Sequence, residues 1–540
     1  MMRRTLQILS RGSSRLPRRW QRVAALLALS LYAGPPVAIN ASNNSDRPNI
    51  ITILVDDMGY SDLGCTGSEI ETPNLDRLAR EGVLFTNFYN TSRCCPSRAS
   101  LLTGQYQWDD GIGYMDTIKS EYLEYQGYLN DKSATIAEIR SQNGYQTFMS
   151  GKWHVDSSER TMWPDHRGFE QFYGVPAGGG IYFYPSIYWE RPVFWNGKEV
   201  FPDESWYSTD AFTDYAIDYI EKRRDQEKPF YMYIAYVAPH FPLMAKPKDI
   251  DKYRGTYQAG YEAIRQARFE KQKAIGLVPN GLPASEPVYP AWRDVEDKNQ
   301  EALEMAVYAA MIDCLDQNIG RLMGSLESAG IADNTAVFFL SDNGACQTGY
   351  NRTPDIEVGG RESNVAYGIW NNVSNTPYRM RKAQCHEGGI ITPLIVHWPK
   401  GLKTKSNRIR ETGHINDLMP TILEMAGARY PKTYKSIELD SLDGESLLPL
   451  LEGETRSKDP EYFWEHEGNR AVRQGDWKLV ALRNGYWELY HLKADPYETK
   501  NLVESHPEIA NQLMARYERW AREHGVRPWP LDRVEQIQNL

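Results

Sequence analysis

Cysteine is scarce in this chain, at six of 540 residues. That is too few for a disulfide scaffold, so a conventional core must hold the fold, with one or two bridges at most. Long apolar runs are also missing. The strongest, Val23–Tyr32, is too short to cross a bilayer comfortably, and no other segment reads as transmembrane. No internal repeat or low-complexity tract appears, which removes solenoids and disordered scaffolds. Positive charge is in deficit, with 61 Lys and Arg against 71 Asp and Glu. Such a balance argues against nucleic acid as a partner.

The deficit deepens once the N-terminus is read as a leader. Arg3, Arg4, Arg11, Arg15, Arg18, Arg19 and Arg22 precede the apolar stretch, and small residues follow it. Basic, then apolar, then small is the order of a secretory signal over residues 1–41, with cleavage after Ala38 or Ala41. Arg3-Arg4 only weakly matches a twin-arginine signal. Losing seven arginines and no acids leaves 54 bases against 71 acids, a formal charge of −17. A secreted or periplasmic protein without stable membrane insertion is expected. Any anionic ligand must be captured by local positive charge, since the overall field repels it. The sequons at Asn43, Asn90, Asn351 and Asn372 are glycan acceptors only in a eukaryotic host.

Two hydrophobic runs end in acids. Asn49–Val55 is a continuous β-branched strand pattern that runs into Asp56-Asp57, and Thr335–Leu340 is followed by Asp342 and Asn343. Acids directly after such strands lie at the carboxyl edge of one parallel sheet, where open α/β sheets bind ligands. Four oxygen donors without a nearby His or Cys cluster suit a hard cation, calcium ahead of magnesium. Either pair alone is equally an ordinary turn cap. Two further strands end in bases. Gln146–Met149 leads to Lys152 and His154, and Pro229–Val237 leads to His240. Lys382 precedes Glu387-Gly-Gly389 and the apolar run Ile390–Val396.

The stretch Cys94-Cys-Pro-Ser-Arg-Ala-Ser-Leu-Leu-Thr-Gly104 carries the most information. Pro96 suits the first turn of a helix, and Ala99–Leu102 continue it. Cys94 then sits at a helix N-terminus, where free N–H groups favour an anion, with Arg98 one turn in. The stretch resembles the signature C-x-P-S-R-x-x-x-L-T-G of type I sulfatases. D-D-x-G, G-K-W-H, P-H-x-P, S-D-N-G and K-x-x-x-x-E-G-G resemble the same family's pattern, from about Pro48 to Gly427, including His414–Thr421.

That resemblance implies an alkaline-phosphatase-like α/β fold with a large, mostly parallel central sheet flanked by helices. It implies that a maturation enzyme oxidises Cys94 to formylglycine, and that Asp56, Asp57, Asp342, Asn343 and the modified Cys94 bind one calcium ion. Arg98 and Lys152 would steady the aldehyde hydrate, and Lys152 with Lys382 would hold sulfate oxygens. His240, with Lys382, would protonate the departing alcohol, and His154 would assist loss of sulfate. The substrate would be a sulfated carbohydrate or aryl sulfate. A phosphate or phosphonate monoester hydrolase and a noncatalytic glycan-binding relative are the alternatives. The family commonly has Leu-Gly where this chain has Val155-Asp156, so Asp156 is a candidate for altering local charge or helping bind substrate.

Length alone suggests three or four domains, but a constellation spanning residues 56 to 382 must be one unit. Two are expected, a catalytic domain over 42–427 and a C-terminal α+β subdomain over 428–540. In the latter, Asn469–Arg473, Trp477–Leu482 and Tyr486–Leu492 read as an antiparallel sheet and 507–522 as a helix. Tyr308 to Leu326 have the period of an amphipathic helix on the sheet. Lys246–Asn299 reads as a polar surface excursion. Tyr182, Phe183, Tyr184, Tyr188, Trp189, Phe194 and Trp195 are equally core or a stacking surface for substrate. Glu465-His466-Glu467 is as readily structural as pocket-lining.

Overall fold

The structure, a computed structural model, describes residues 47–186, 191–223, 225–287, 290–456 and 460–536. The expected leader, the sequon at Asn43, and Tyr188 and Trp189 lie outside the described residues.

The site-bearing sheet is built from β1 (Asn49–Val55), β2 (Val83–Tyr89), β3 (Gln146–Lys152), β4 (Gln171–Val175), β5 (Val193–Trp195), β6 (Lys198–Val200), β7 (Phe230–Ala235), β8 (Thr335–Ser341), β9 (Ile391–His397), β10 (Arg408–Ile409) and β11 (Gly413–His414). Their order is β10-β2-β9-β8-β1-β7-β3-β4-β5-β6, with β11 also on β2. The middle run β8-β1-β7-β3-β4 is parallel throughout. Its register places the strand ends level, since Val55 pairs with Ser341, Leu54 with Ala235, and Ala235 with Gly151. Every residue that follows these strands therefore emerges at one edge. β9 runs antiparallel to β8, with Ile395 opposite Phe339, so the segment entering it arrives at that same edge.

The strands are apolar at nearly every position because both faces are covered. Ile51, Ile53, Val55, Met232, Ile234, Val337 and Phe339 face one core, under α1 (Pro73–Glu81), α3 (Ser208–Lys222) and α6 (Lys298–Ser328). The alternating residues Ile50, Leu54, Tyr231, Tyr233, Phe338 and Leu340 face the other, under α2 (Cys94–Thr103) and α7 (Leu418–Met425). A four-stranded antiparallel sheet follows, of β12 (Glu461–His466), β13 (Asn469–Gln474), β14 (Trp477–Ala481) and β15 (Glu488–His491). Phe463, Val472, Leu479 and Leu489 pack with Leu513, Tyr517 and Trp520 of α8 (Pro507–Glu523). Trp464, Ala471 and Val480 on its opposite face join the first core.

Several expectations need correction. β3 does not stop at Met149 but continues through Gly151-Lys152, paired with Gly174 and Val175. Glycine is required there: φ at Gly151 is +116°, and a Cβ would lie 2.0 Å from the Ala235 carbonyl oxygen. Lys246–Asn299 is not merely a surface excursion. It holds α4 (Pro247–Tyr253) and α5 (Tyr261–Ala274), and Arg268 is fully buried, bonded to Asp62 at 2.7 Å and Glu69 at 2.8 Å. A polar sequence is internal here because its charges find partners. β12 had no clear sequence signal. All six cysteines are free, so no bridge forms. Asn90 and Asn372 are buried, which removes them as glycan acceptors in the folded chain.

Candidate active site

Asp56 and Asp57 leave the end of β1, and Asp342 and Asn343 the end of β8. Asp57 adopts φ +70°, in the left-handed region that aspartate tolerates better than most residues. Its N–H donates to Asp342 Oδ1 at 3.2 Å, and the Tyr308 hydroxyl of α6 donates to its carbonyl at 3.3 Å. The Asn343 amide donates to Asp57 Oδ1 at 2.6 Å. Asp56 Oδ1, Asp57 Oδ2 and Asn343 Oδ1 are buried with no hydrogen-bond partner. Three orphaned oxygens from three of the five expected ligands, all hard donors, fit a calcium-like cation. His240 also stands close, its ring and the two aspartates each offering an atom within 4.8 Å of the others.

Cations ring this floor. The Arg98 guanidinium, wholly buried in α2, reaches Asp342 at 2.9 Å, Asp56 at 3.4 Å and the Lys152 carbonyl at 3.1 Å. Lys152 pairs with Asp56, and Lys382 with Asp57 at 2.5 Å. Burial opposes ionisation of Asp56, but Lys152, His240 and Arg98 hold it well below the usual carboxylate range. Burial likewise opposes Asp57, and Lys382 and His240 together outweigh it. Asp342 goes the other way, raised by burial and by the neighbouring Asp56 charge.

Cys94 is the first residue of α2 and is buried. Burial pushes its thiol up, but Lys382, His154 and Lys152 together bring it down to about 5. The position is thus strongly biased toward a negatively charged oxygen or sulfur. His154, at φ +56°, faces Asp116 Oδ1 at 3.4 Å. Burial works against its protonation, and Asp116, with the charge at Cys94, overcomes that to raise its pKa. His240 Nδ1 lies 2.6 Å from the Phe241 carbonyl, so the N–H is on Nδ1 in the neutral ring. Its Nε2 is then bare, 3.6 Å from Asp57 Oδ2. Burial lowers this imidazole to about 4 despite the nearby aspartates.

A cavity of about 170 Å³ opens above these groups, lined by Cys94, His154, His240 and Lys382 among others. The structure therefore gathers Asp56, Asp57, Cys94, Arg98, Lys152, His154, His240, Asp342, Asn343 and Lys382, either lining the cavity or bonded beneath it.

Residues 48–428 match the family described as Sulfatase. The chain belongs to the sulfatase family. Residues 380–523 also match the C-terminal region described for N-sulphoglucosamine sulphohydrolase. An uncharacterised sulfatase of Schizosaccharomyces pombe is 34% identical, covering 92% of this chain and 98% of its own. The arylsulfatase of Klebsiella aerogenes is 32% identical over 81% of this chain and 98% of its own. Among solved structures, Ps i-CgsB in complex with k-i-k-neocarrahexaose aligns with a TM-score of 0.66 and 26% identity, covering 88% and 93% of the two chains. The fold is alkaline-phosphatase-like, and the chain is a sulfuric ester hydrolase by family.

Sequence reasoning missed part of this sulfatase site. Arg93, Met115, Thr117, Gly178, Gly179, Arg191, Phe241, Cys346 and Thr348 complete the cavity wall. Arg93, Phe241 and Cys346 adjoin recognised motifs, so adjacency was the available signal. Asp116 and Arg191 had none. Asp156, which replaces the family's glycine, does not line the cavity. It sits at φ +133°, and its Oδ1 accepts from Ser158 N at 2.7 Å and Glu159 N at 3.0 Å. It thus stabilises its own turn. His466 stacks on Tyr114 with centroids 5.3 Å apart and is also outside the wall. Tyr182 is core, its hydroxyl donating to the His240 carbonyl, while Phe194 packs on Trp163. Among the described residues, no helix is long and apolar enough to cross a membrane.

Proposed function

We propose that this sulfatase hydrolyses sulfate monoesters of carbohydrates or aryl alcohols through a formylglycine made from Cys94. The observation that carries the reading is the placement of Cys94 at the head of a buried helix, within the field of Lys382, His154 and Lys152. A thiol attacking sulfur would leave a stable S-sulfocysteine. A gem-diol avoids this, because one hydroxyl attacks while the other later expels sulfate by reforming the aldehyde. The same cations that depress the thiol favour ionisation of the hydrate.

In the attack, an O–S bond forms to residue 94 and the ester S–O bond breaks. The departing alkoxide takes a proton from Nε2 of His240 in its imidazolium form, which the bound anionic ester favours over the neutral ring, while Nδ1–H stays on the Phe241 carbonyl. His154, kept basic by Asp116, takes the proton of the second hydroxyl as sulfate leaves. Water then rehydrates the aldehyde. Lys152 and Lys382 hold nonbridging oxygens, while Arg98 fixes Asp56 and Asp342 in place. Asp56, Asp57, Asp342 and Asn343, with residue 94, would hold calcium, which supplies Lewis-acid stabilisation of charge when bound. Maturation by a formylglycine-generating enzyme, export by the leader, and division into domains at 42–427 and 428–540 belong to this reading.

Two measurements test it. Intact mass should show residue 94 as an aldehyde, about 18 Da lighter than the thiol form. At equal concentration, an aryl sulfate should be turned over faster than the matching aryl phosphate. Preference for phosphate by orders of magnitude, or a chain always found as thiol, would overturn the proposal.

A further inference from the structure

The cavity wall carries three permanent cations, Arg93, Arg191 and Lys382, and among its described residues no carboxylate. This is notable in a chain where acids outnumber bases 71 to 61. Lys382 is matched by Asp57. Arg191 donates from Nε to the Gly178 carbonyl at 2.6 Å. Arg93 stands apart. It is the N-cap residue of α2, with extended backbone (φ −146°, ψ 147°) and no side-chain hydrogen bond to the helix that Cys94 opens. Its Nε is buried without a hydrogen-bond partner, and among the described residues no carboxylate comes within ion-pair reach. Glu467, whose field extends to Arg93, is engaged instead by the Tyr114 hydroxyl at 2.9 Å.

Arg93 is half-buried, and among the described residues its guanidinium has no ion pair within the protein, so it can take a ligand from the cavity it lines. Its planar five-donor fork matches a carboxylate or sulfate in two-point contact. In the catalytic reading above, the scissile sulfate already has Lys152 and Lys382. Arg93 is surplus to that need yet opens on the same cavity, one residue from the nucleophile.

We propose that Arg93 binds a second anionic group of the substrate, selecting sulfate esters that carry a carboxylate or another sulfate close to the one removed. This rests on the sulfatase reading for the identity of the first anion. It goes beyond that reading in assigning the substrate class and the residue that chooses it. Arg93 is a specificity residue here, acting on binding and not on the reacting bond.

The test uses full-length, calcium-loaded protein carrying Cys94→Ala, which has no nucleophile at that position, so that substrates bind without being consumed. Isothermal titration compares two matched pairs: meta-carbamoylphenyl sulfate with meta-carboxyphenyl sulfate, and N-acetylglucosamine with N-sulfoglucosamine, each bearing a 6-sulfate. At least one doubly charged member should bind about tenfold tighter than its partner, or about 1.4 kcal/mol. Adding Arg93→Gln should bring that pair within about twofold, and Arg93→Lys should keep part of the preference. Parity in both pairs before any change at Arg93 would overturn the proposal, and needs no folded Arg93 variant. So would a preference that survives Arg93→Gln in protein with unchanged circular dichroism. In the active enzyme, the selectivity ratio should fall through KM more than kcat. Failure of fully aldehyde-bearing enzyme to cleave any of the four esters would instead sink the sulfatase mechanism, leaving the titrations to decide the role of Arg93.

Discussion

Asp57 and Lys382 meet at 2.5 Å although 325 residues separate them in sequence. The contact uses only Asp57 Oδ1, which also accepts the Asn343 amide. Oδ2 is left buried, bare, and facing the lone pair of His240. Two buried acceptors directed at one another call for a proton or a metal ion between them, and the oxygen donors around them suit calcium.

Metal removal should therefore cost stability as well as turnover. Chelation, verified by elemental analysis, should lower Tm by several degrees and abolish aryl sulfate hydrolysis, because an ion bound only by the native state stabilises it. Calcium should restore both, and magnesium less, since the floor offers many oxygens in a loose arrangement. An unchanged Tm in metal-free protein would contradict the assignment of Asp56, Asp57 and Asn343 as ligands.

Gly178 shapes the position of His154. A Cβ there would lie 2.2 Å from His154 Nε2, the atom directed at Asp116. Gly178→Ala should displace the imidazole and lower kcat by about a hundredfold, the scale of a misplaced catalytic group. Gly360→Ala is the control, as a Cβ at Gly360 meets nothing within 4 Å. Equal kinetics for the two variants would show that His154 does not take part.

Lys478 on β14 docks the C-terminal sheet through two buried carboxylates, Glu387 at 2.6 Å and Glu498 at 2.9 Å. Lys478→Met should destabilise the protein by about 3–5 kcal/mol in urea unfolding, because it leaves both acids buried and unpaired. Adding Glu387→Gln and Glu498→Gln should recover much of the loss. If the single variant unfolds at the wild-type midpoint, the ion cluster contributes nothing to docking.

Glu488 gives a pH signature away from the catalytic groups. Burial alone would raise its pKa, but hydrogen bonds from His386 and Tyr490, with the nearby charge of Arg379, bring it to about 2. The folded value is depressed below the ordinary value of 4.5, so the stabilisation is complete above that pH. It declines as pH falls toward 2. The advantage of wild type over Glu488→Gln should be about 1–2 kcal/mol at pH 6, discounted for partial exposure, and should shrink measurably by pH 3. A constant difference across that range would exclude the linkage.

Much of the site was legible because its parts are local. Asp56-Asp57, Asp342-Asn343 and His240 each follow a β-branched or aromatic run closely, and Cys94 opens a helix marked by Pro96. Polar segments were harder to read. Lys246–Asn299 appeared external because charge in sequence does not show whether a partner such as Glu69 waits inside. Asp116 was missed because nothing near it in sequence marks it; it matters only through its 3.4 Å approach to His154.

The amino-acid sequence by itself determined the chemical inventory and the edge of the sheet at which it would appear, because side-chain type and strand periodicity are properties of neighbouring residues. Tertiary structure alone decided which oxygens remain bare, which cation is already matched, and which wall residue stands without a counter-charge. Those outcomes depend on register, here Val55 against Ser341 and Ala235 against Gly151, and on burial, which converts an ordinary arginine or aspartate into one that must find a partner.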